Sequence, residues 1–156
     1  MKSSTVDLLI LQVWHLRNDV DSEMAYCAFN ELIVRAGKLA RAMLQGEKYG
    51  MQAIDVAVLA LDYHEDKLSI SHEVTLRPST VQLLKGEIER GRSKFPKNDL
   101  MLPALLEEIG ELAEAVKNEN KEEAAKEALQ VACIAVRIAE EGDTTFDNAS
   151  EESKQK

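Results

Sequence analysis

Apolar residues recur every three or four positions through most of this chain, with charged residues between them, a pattern that predicts amphipathic helices. Six are legible. The first spans about Val6 to Arg17, entered from Thr5 as N-cap. The second runs from about Ser22 to Leu44, capped by Ser22 and ended by Gln45-Gly46. The third covers about Tyr49 to Asp66 and presents Ile54, Val58 and Leu61 on one face. After a linker from Leu68 to Pro78, a fourth begins with Ser79 or Thr80 as cap and reaches about Arg92. Residues Ser93 to Asn98 form a loop. Asp99 is expected to cap the fifth helix, about Leu100 to Lys117, with Pro103 tolerated in its first turn. The sixth runs from about Lys121 to Glu141 and stops at Gly142. From Asp143 to Lys156 the chain is polar and aperiodic, which predicts a disordered tail over 143–156.

The helices repeat in threes. Thr5-Val6-Asp7-Leu8-Leu9 matches Thr80-Val81-Gln82-Leu83-Leu84, Gly37-Lys38-Leu39-Ala40 matches Gly110-Glu111-Leu112-Ala113, and Ala53-Ile54-Asp55-Val56-Ala57 matches Ala128-Leu129-Gln130-Val131-Ala132. The offsets are 75, 73 and 75 residues, so the length changes fall between helices. A hairpin of two helices cannot bury its apolar stripe alone, and two hairpins can share it as a four-helix bundle. The expected fold is therefore all-α: a tandem duplication of a three-helix unit, residues 1–68 and 79–142, around an intramolecular four-helix core. The first and fourth helices flank that core.

Composition narrows the partners. A length of 156 residues fits one domain or two small repeats sharing a core. The hydrophobic fraction of 45% supports a packed interior, but aromatics are only 4%, so Leu, Ala, Ile and Val must fill it. A net charge of −9 argues against nucleic acid or an anionic membrane as partner. It leaves a nucleotide open, because a bound cation reverses the local potential. Cys27 and Cys133 sit within apolar helical runs, without a CxxC pair, as reduced buried thiols would. No apolar run approaches the ~18 residues of a membrane span. The opening Met1-Lys2-Ser3-Ser4-Thr5 leads into a segment interrupted by Asp7, a poor secretory signal. A cytoplasmic location is the expectation.

The chemistry concentrates in Glu107-Glu108-Ile109-Gly110-Glu111, followed on the next helix by Glu127. Residues three and four apart share a helix face, so these acids can converge, and acids so crowded repel unless a cation sits among them. Oxygen-only ligands suit Mg²⁺, or Mn²⁺ in its place, rather than zinc. Such a cluster can hold a hard metal against a phosphate, with Glu108 or Glu111 orienting the attacking water or taking its proton. Arg92, Lys94 and Lys97 are placed to reach the phosphates. A solvated acidic face paired with lysines fits the same residues.

The run Glu107-Glu108-Ile109-Gly110-Glu111 with Glu127-Ala128-Leu129-Gln130 resembles the E-E-x-x-E and E-x-x-D signature of the MazG-like all-alpha nucleoside triphosphate pyrophosphohydrolases. That family is related to the dimeric dUTPases and to phosphoribosyl-ATP pyrophosphohydrolase. The resemblance is clearest from about Glu87 to Asp143. It includes Ile88 to Phe95, which is similar to the basic segment before the acidic helix in some phage-borne relatives. It implies Mg²⁺-dependent cleavage of a nucleoside triphosphate to a monophosphate and pyrophosphate. It assigns metal ligation to Glu107, Glu108, Glu111 and Glu127, with Gln130 where the family's aspartate is usual. An amide can coordinate through its oxygen but brings no charge and no base, which implies weaker metal binding or a slower reaction. The internal repeat could replace the family's usual dimer or add to a homodimer.

In the first repeat, Arg35 and Lys38 stand opposite Glu108 and Glu111, and Gln52 and Asp55 opposite Glu127 and Gln130. Two cations replace two acids, so one metal site per chain is expected, with an Arg35–Asp55 or Lys38–Asp55 ion pair in place of a second. Three readings stay open: a pyrophosphohydrolase, a catalytically impaired nucleotide- or metal-binding module of the same fold, and a helical interaction protein. His15, His64 and His72 lack ligand spacing and read as surface or packed residues. Trp14 reads as a packing anchor, and Phe95, beside Lys94 and Lys97, as the aromatic best placed to touch a base.

Overall fold

The computed structural model describes residues 1–18, 28–68 and 74–147. Six helices follow one another: α1 (Ser3–Asn18), α2 (Ala28–Leu44), α3 (Gly50–Lys67), α4 (Pro78–Lys94), α5 (Met101–Lys117) and α6 (Lys121–Glu141). A last helical turn covers 144–147, and no strand occurs among the described residues. The all-α expectation holds. The cap assigned to Ser22, the thiol of Cys27 and His72 lie outside the described residues.

Burial explains the layering. Helices α2 and α5 bury one stripe each: Leu32, Ala36, Leu39 and Met43 on α2, and Leu105, Ile109, Leu112 and Ala115 on α5. Helices α3 and α6 are buried nearly all round. They form the centre and pack most extensively on each other, with α2 on α3 and α5 on α6. Ala57 and Ala60 of α3 and Ala128, Ala132 and Ala135 of α6 are fully buried. Small side chains let two helix backbones approach closely. Outside this four-helix core, α1 packs on α3 and α4 on α6. The two triplets thus share one packing order, which does not by itself establish a duplication.

The helix ends also correspond. After α2, Glu47 N–H donates to the Ala42 carbonyl at 2.9 Å and Gly46 N–H to Met43 at 3.2 Å. After α5, Asn120 N–H donates to Ala115 at 3.0 Å and Glu119 N–H to Val116 at 3.1 Å. Both are Schellman closures around a left-handed residue, Gly46 (φ 68°) in one and Glu119 (φ 55°) in the other. Asn120 then caps α6 by accepting from Glu123 N–H at 3.1 Å.

Several caps differ from expectation. Thr5 lies inside α1, buried, with its hydroxyl meeting Glu140. Helix α4 starts at Pro78 after an extended Arg77, because proline's fixed φ suits the first helical position. Thr80 instead donates its hydroxyl to Glu65 Oε1 at 2.6 Å. Asp99 does not cap α5; Leu100 precedes the helix in a left-handed conformation with φ 55°. The free N–H groups are met from far along the chain, Leu102 N–H by Asp143 Oδ2 and Leu100 N–H by Thr145 Oγ1, each at 2.9 Å.

That contact corrects the start of the predicted tail. Asp143 is fully buried, Phe146 packs against the core, and Tyr49 O–H donates to Asp147 Oδ1 at 2.7 Å. Residues 143–147 are therefore ordered, because Asp143 is a cap and not a solvated acid; 148–156 lie outside the described residues. Gly142 adopts φ 73° and ψ −168°, a conformation that side-chain-bearing residues rarely take, which favours glycine where α6 turns into this cap.

Candidate metal and nucleotide site

The burial pattern of α5 turns Leu105, Ile109 and Leu112 inward, which leaves Glu108 at the edge of the buried stripe and Glu111 just outside it. On α6, Glu127 is buried together with Ala124, Ala125, Ala128 and Leu129. One carboxylate oxygen from each of Glu108, Glu111 and Glu127 lies within 4.8 Å of the other two. Two oxygens bound to one Mg²⁺ at about 2.1 Å stand at most about 4.2 Å apart. Adjacent oxygens on an octahedral ion stand only about 3 Å apart, so the three carboxylates would have to draw in around an ion to share it.

The electrostatics report the crowding. Burial, followed by the charges of Glu111 and Glu127, pushes Glu108 up to about 7. Burial also raises Glu127, against the pull of the Lys126 ammonium 2.9 Å away. Lys126 is exposed and shared with Glu123 at 2.8 Å, so it offsets only part of the charge.

A cavity of about 750 Å³ opens beside the cluster, between α4, the α4–α5 loop, α5 and α6. Along α5 its wall passes from Leu100, Met101 and Ala104 to Glu107, Glu108 and Glu111. Arg90, Lys94, Phe95 and Lys97 line the side built by α4 and the loop. Lys94 Nζ lies 5.2 Å from the centre of the Phe95 ring. Glu127 stands behind this lining and reaches the site only through the carboxylate cluster.

The expected site residues are not all brought together. Glu107 is exposed on the cavity wall, outside the three-carboxylate cluster, though its charge still acts on Glu108. Gln130 also lines the wall, but its amide donates to Glu87 Oε2 at 3.0 Å. Arg92 is drawn away from the cavity. It donates to Glu140 at 2.7 Å and to Glu141, both on α6, so it ties α4 to α6 instead of facing the phosphates. Lys94 and Lys97 do face the cavity.

Sequence reasoning missed Glu87, Arg90 and Arg137 on the walls. The first two belong to a helix with no acidic signature, and Glu87 is held below the usual carboxylate range by hydrogen bonds from Arg90 and then Gln130. A signal did exist for Arg137: Glu127, Gln130, Ile134 and Arg137 are spaced three, four and three apart, one face of α6. Cys133 also lines the cavity, and burial pushes its thiol up to about 12, which leaves it unreactive. His64 is a packed histidine whose Nδ1 meets the Ala125 carbonyl at 2.7 Å. In the first half, Arg35 Nη1 donates to Asp55 at 3.4 Å and Arg35 Nε to Glu31 at 2.8 Å, so an ion pair joins two of the positions that align in sequence with the acidic site.

A family model described as MazG nucleotide pyrophosphohydrolase domain matches residues 97–156. The matched segment includes α5, α6, their capping turn and all three clustered carboxylates. No curated protein and no solved structure matches the chain significantly. A MazG domain suggests nucleotide pyrophosphohydrolase activity in general and implies binding of a nucleotide substrate. The family generally uses divalent metal ions, and the acidic cluster is a candidate place for one. No helix among the described residues is long and apolar enough to cross a membrane. With the all-helical fold, the match makes residues 97–156 similar to the MazG domain, which is consistent with a MazG-like superfamily member.

Proposed function

We propose that the protein hydrolyses a nucleoside triphosphate to a monophosphate and pyrophosphate, using Mg²⁺, with Mn²⁺ as a substitute. The observation that carries this reading is the convergence of Glu108, Glu111 and Glu127 beside a cavity whose other wall carries Arg90, Lys94 and Lys97. The donor set fits a hard divalent cation: all oxygen, anionic, and crowded enough that Glu108 holds a proton to about pH 7 without one. Those three residues hold the ion, with Glu107 and Gln130 at its margin. The bound ion supplies charge neutralisation at the phosphate oxygens and a more acidic attacking water.

The rest is the work of the chain. Glu111 is exposed at the cavity edge and is the carboxylate best placed to orient a water and take its proton. Lys94 and Lys97 neutralise the phosphates and the departing pyrophosphate. Arg90, tethered to Glu87, closes the basic side. Phe95, Leu100 and Met101 offer apolar surface to the base and sugar. A screen of pyrophosphate release over standard and modified nucleoside triphosphates, with and without Mn²⁺, tests the reading. It predicts metal-dependent release by the wild type and loss of roughly a hundredfold or more in Glu111→Gln. Equal activity in the two proteins would overturn the assignment.

One observation favours a second reading, a binding module with impaired catalysis. Gln130 brings no charge and its amide is hydrogen-bonded to Glu87, so the usual fourth carboxylate is replaced by a neutral group turned toward α4. Metal-dependent nucleotide binding without pyrophosphate release, in calorimetry, selects that reading.

A further inference from the structure

Lys94, Phe95 and Lys97 sit at and beyond the end of α4, where the chain leaves the helix for the α4–α5 loop. An exposed lysine on a loop, as Lys97 is, would not hold a fixed position without support. The support comes from α6. The Arg137 side chain is only 5% exposed. Its Nη2 donates to the Phe95 carbonyl at 3.0 Å, to the Lys97 carbonyl at 3.3 Å and to Glu141 Oε2 at 3.1 Å. Nε also reaches Glu141 Oε2, at 3.3 Å. Arg137 thus grips the main chain on either side of Pro96 while its own position is fixed by a carboxylate one turn along the same helix. The same helix face carries Glu127, so one rigid element holds both the metal-side carboxylate and the clamp for the basic loop. Nearby, Asn98 Nδ2 donates to the Glu141 carbonyl at 2.6 Å and seats the loop a second time.

We propose that Arg137 is a positioning residue for nucleotide binding: its guanidinium sets Lys94 and Lys97 at a fixed distance from the acidic cluster. The inference rests on the nucleotide reading above and adds the residue that aligns the two halves of that site. A guanidinium suits the task, because Nε and Nη2 lie in one rigid plane: both meet Glu141 Oε2 while Nη2 also reaches the two carbonyls, an arrangement that a lysine ammonium on a flexible stem does not reproduce. In this role the residue acts through the loop, since Nε and Nη2 are turned to main-chain oxygens and Glu141.

The test compares wild type, Arg137→Lys, Lys94→Ala/Lys97→Ala and the triple variant. Arg137→Lys keeps a charge beside Glu141, which guards against unfolding, but loses the double carbonyl grip. Calorimetry measures Mn²⁺ alone, and then a triphosphate with a non-hydrolysable α–β bridge in the presence of Mn²⁺. Arg137→Lys should weaken triphosphate binding about tenfold, leave Mn²⁺ binding within about twofold of wild type, and raise KM more than it lowers kcat. In the background lacking both lysines the same substitution should have almost no further effect on triphosphate binding. Wild-type affinity in Arg137→Lys, or an undiminished further loss in the triple variant, overturns the positioning role while leaving the nucleotide reading intact. Failure of the wild type to bind the triphosphate at all overturns both.

Discussion

Glu108 stands half buried between two other carboxylates, and its acid form persists to about pH 7. Because its pKa in the folded protein is raised, its contribution to stability is complete below the ordinary carboxylate value and is lost as pH rises through about 7. Glu108→Gln should therefore stabilise the metal-free protein above neutrality, by about 1 kcal/mol after allowing for solvent screening. Thermal unfolding at about pH 8 checks this, and the gain should vanish at about pH 4. The same substitution should abolish stabilisation by Mn²⁺. In the wild type, metal affinity should fall as pH drops below about 7, since the ion must then displace a proton from Glu108. This part of the site was legible in the sequence because its acids lie at helical spacings on two consecutive helices. The ion pairs of Arg92 were not legible, because Glu140 and Glu141 are 48 and 49 residues away and no local pattern announces them.

Among the elements, α5 is the one whose placement decides the site, and its ends depend on residues outside it. Asp143 accepts from Leu102 N–H while buried, so Asp143→Ala leaves that N–H without a partner. The expected loss is about 1–2 kcal/mol in denaturant unfolding. At the other end Glu119 holds a left-handed φ of 55° in a position that glycine fills after α2. Glu119→Gly should stabilise the protein by up to about 1 kcal/mol, read as a higher melting temperature. Periodicity located α1 to α6, because apolar residues recur at helical spacing in each. It could not locate the cap of α5, since Asp143 is brought there only by the α5–α6 hairpin, and in the sequence it looks like the first residue of a polar tail.

At the scale of the molecule, the two halves share one packing order but not one electrostatic design. Glu65, buried on α3, accepts from Arg77 N–H at 3.0 Å, from Thr80 O–H at 2.6 Å and from Arg17 at 2.8 Å. Arg17 reaches Asp62 as well, so α1, α3 and the start of α4 are joined through one carboxylate. These donors hold Glu65 below its ordinary value against the opposing effect of burial. A lowered folded pKa means stability that is present above the ordinary carboxylate range and lost as pH falls through the folded value. This network should therefore contribute to acid unfolding, and Glu65→Gln should cost about 3 kcal/mol near neutrality while reducing the acid sensitivity. The second half keeps its crowded acids at the cavity, whereas the first has an Arg35–Asp55 pair at positions that align with that site in sequence. That contrast predicts a single metal site per chain. Calorimetric titration of Mn²⁺ into the wild type and into Glu108→Gln, Glu111→Gln and Glu127→Gln tests the central claim most directly. The account predicts one ion bound per chain, with affinity lowered at least about tenfold by each substitution. Wild-type affinity in all three variants, or no binding to the wild type, would contradict it.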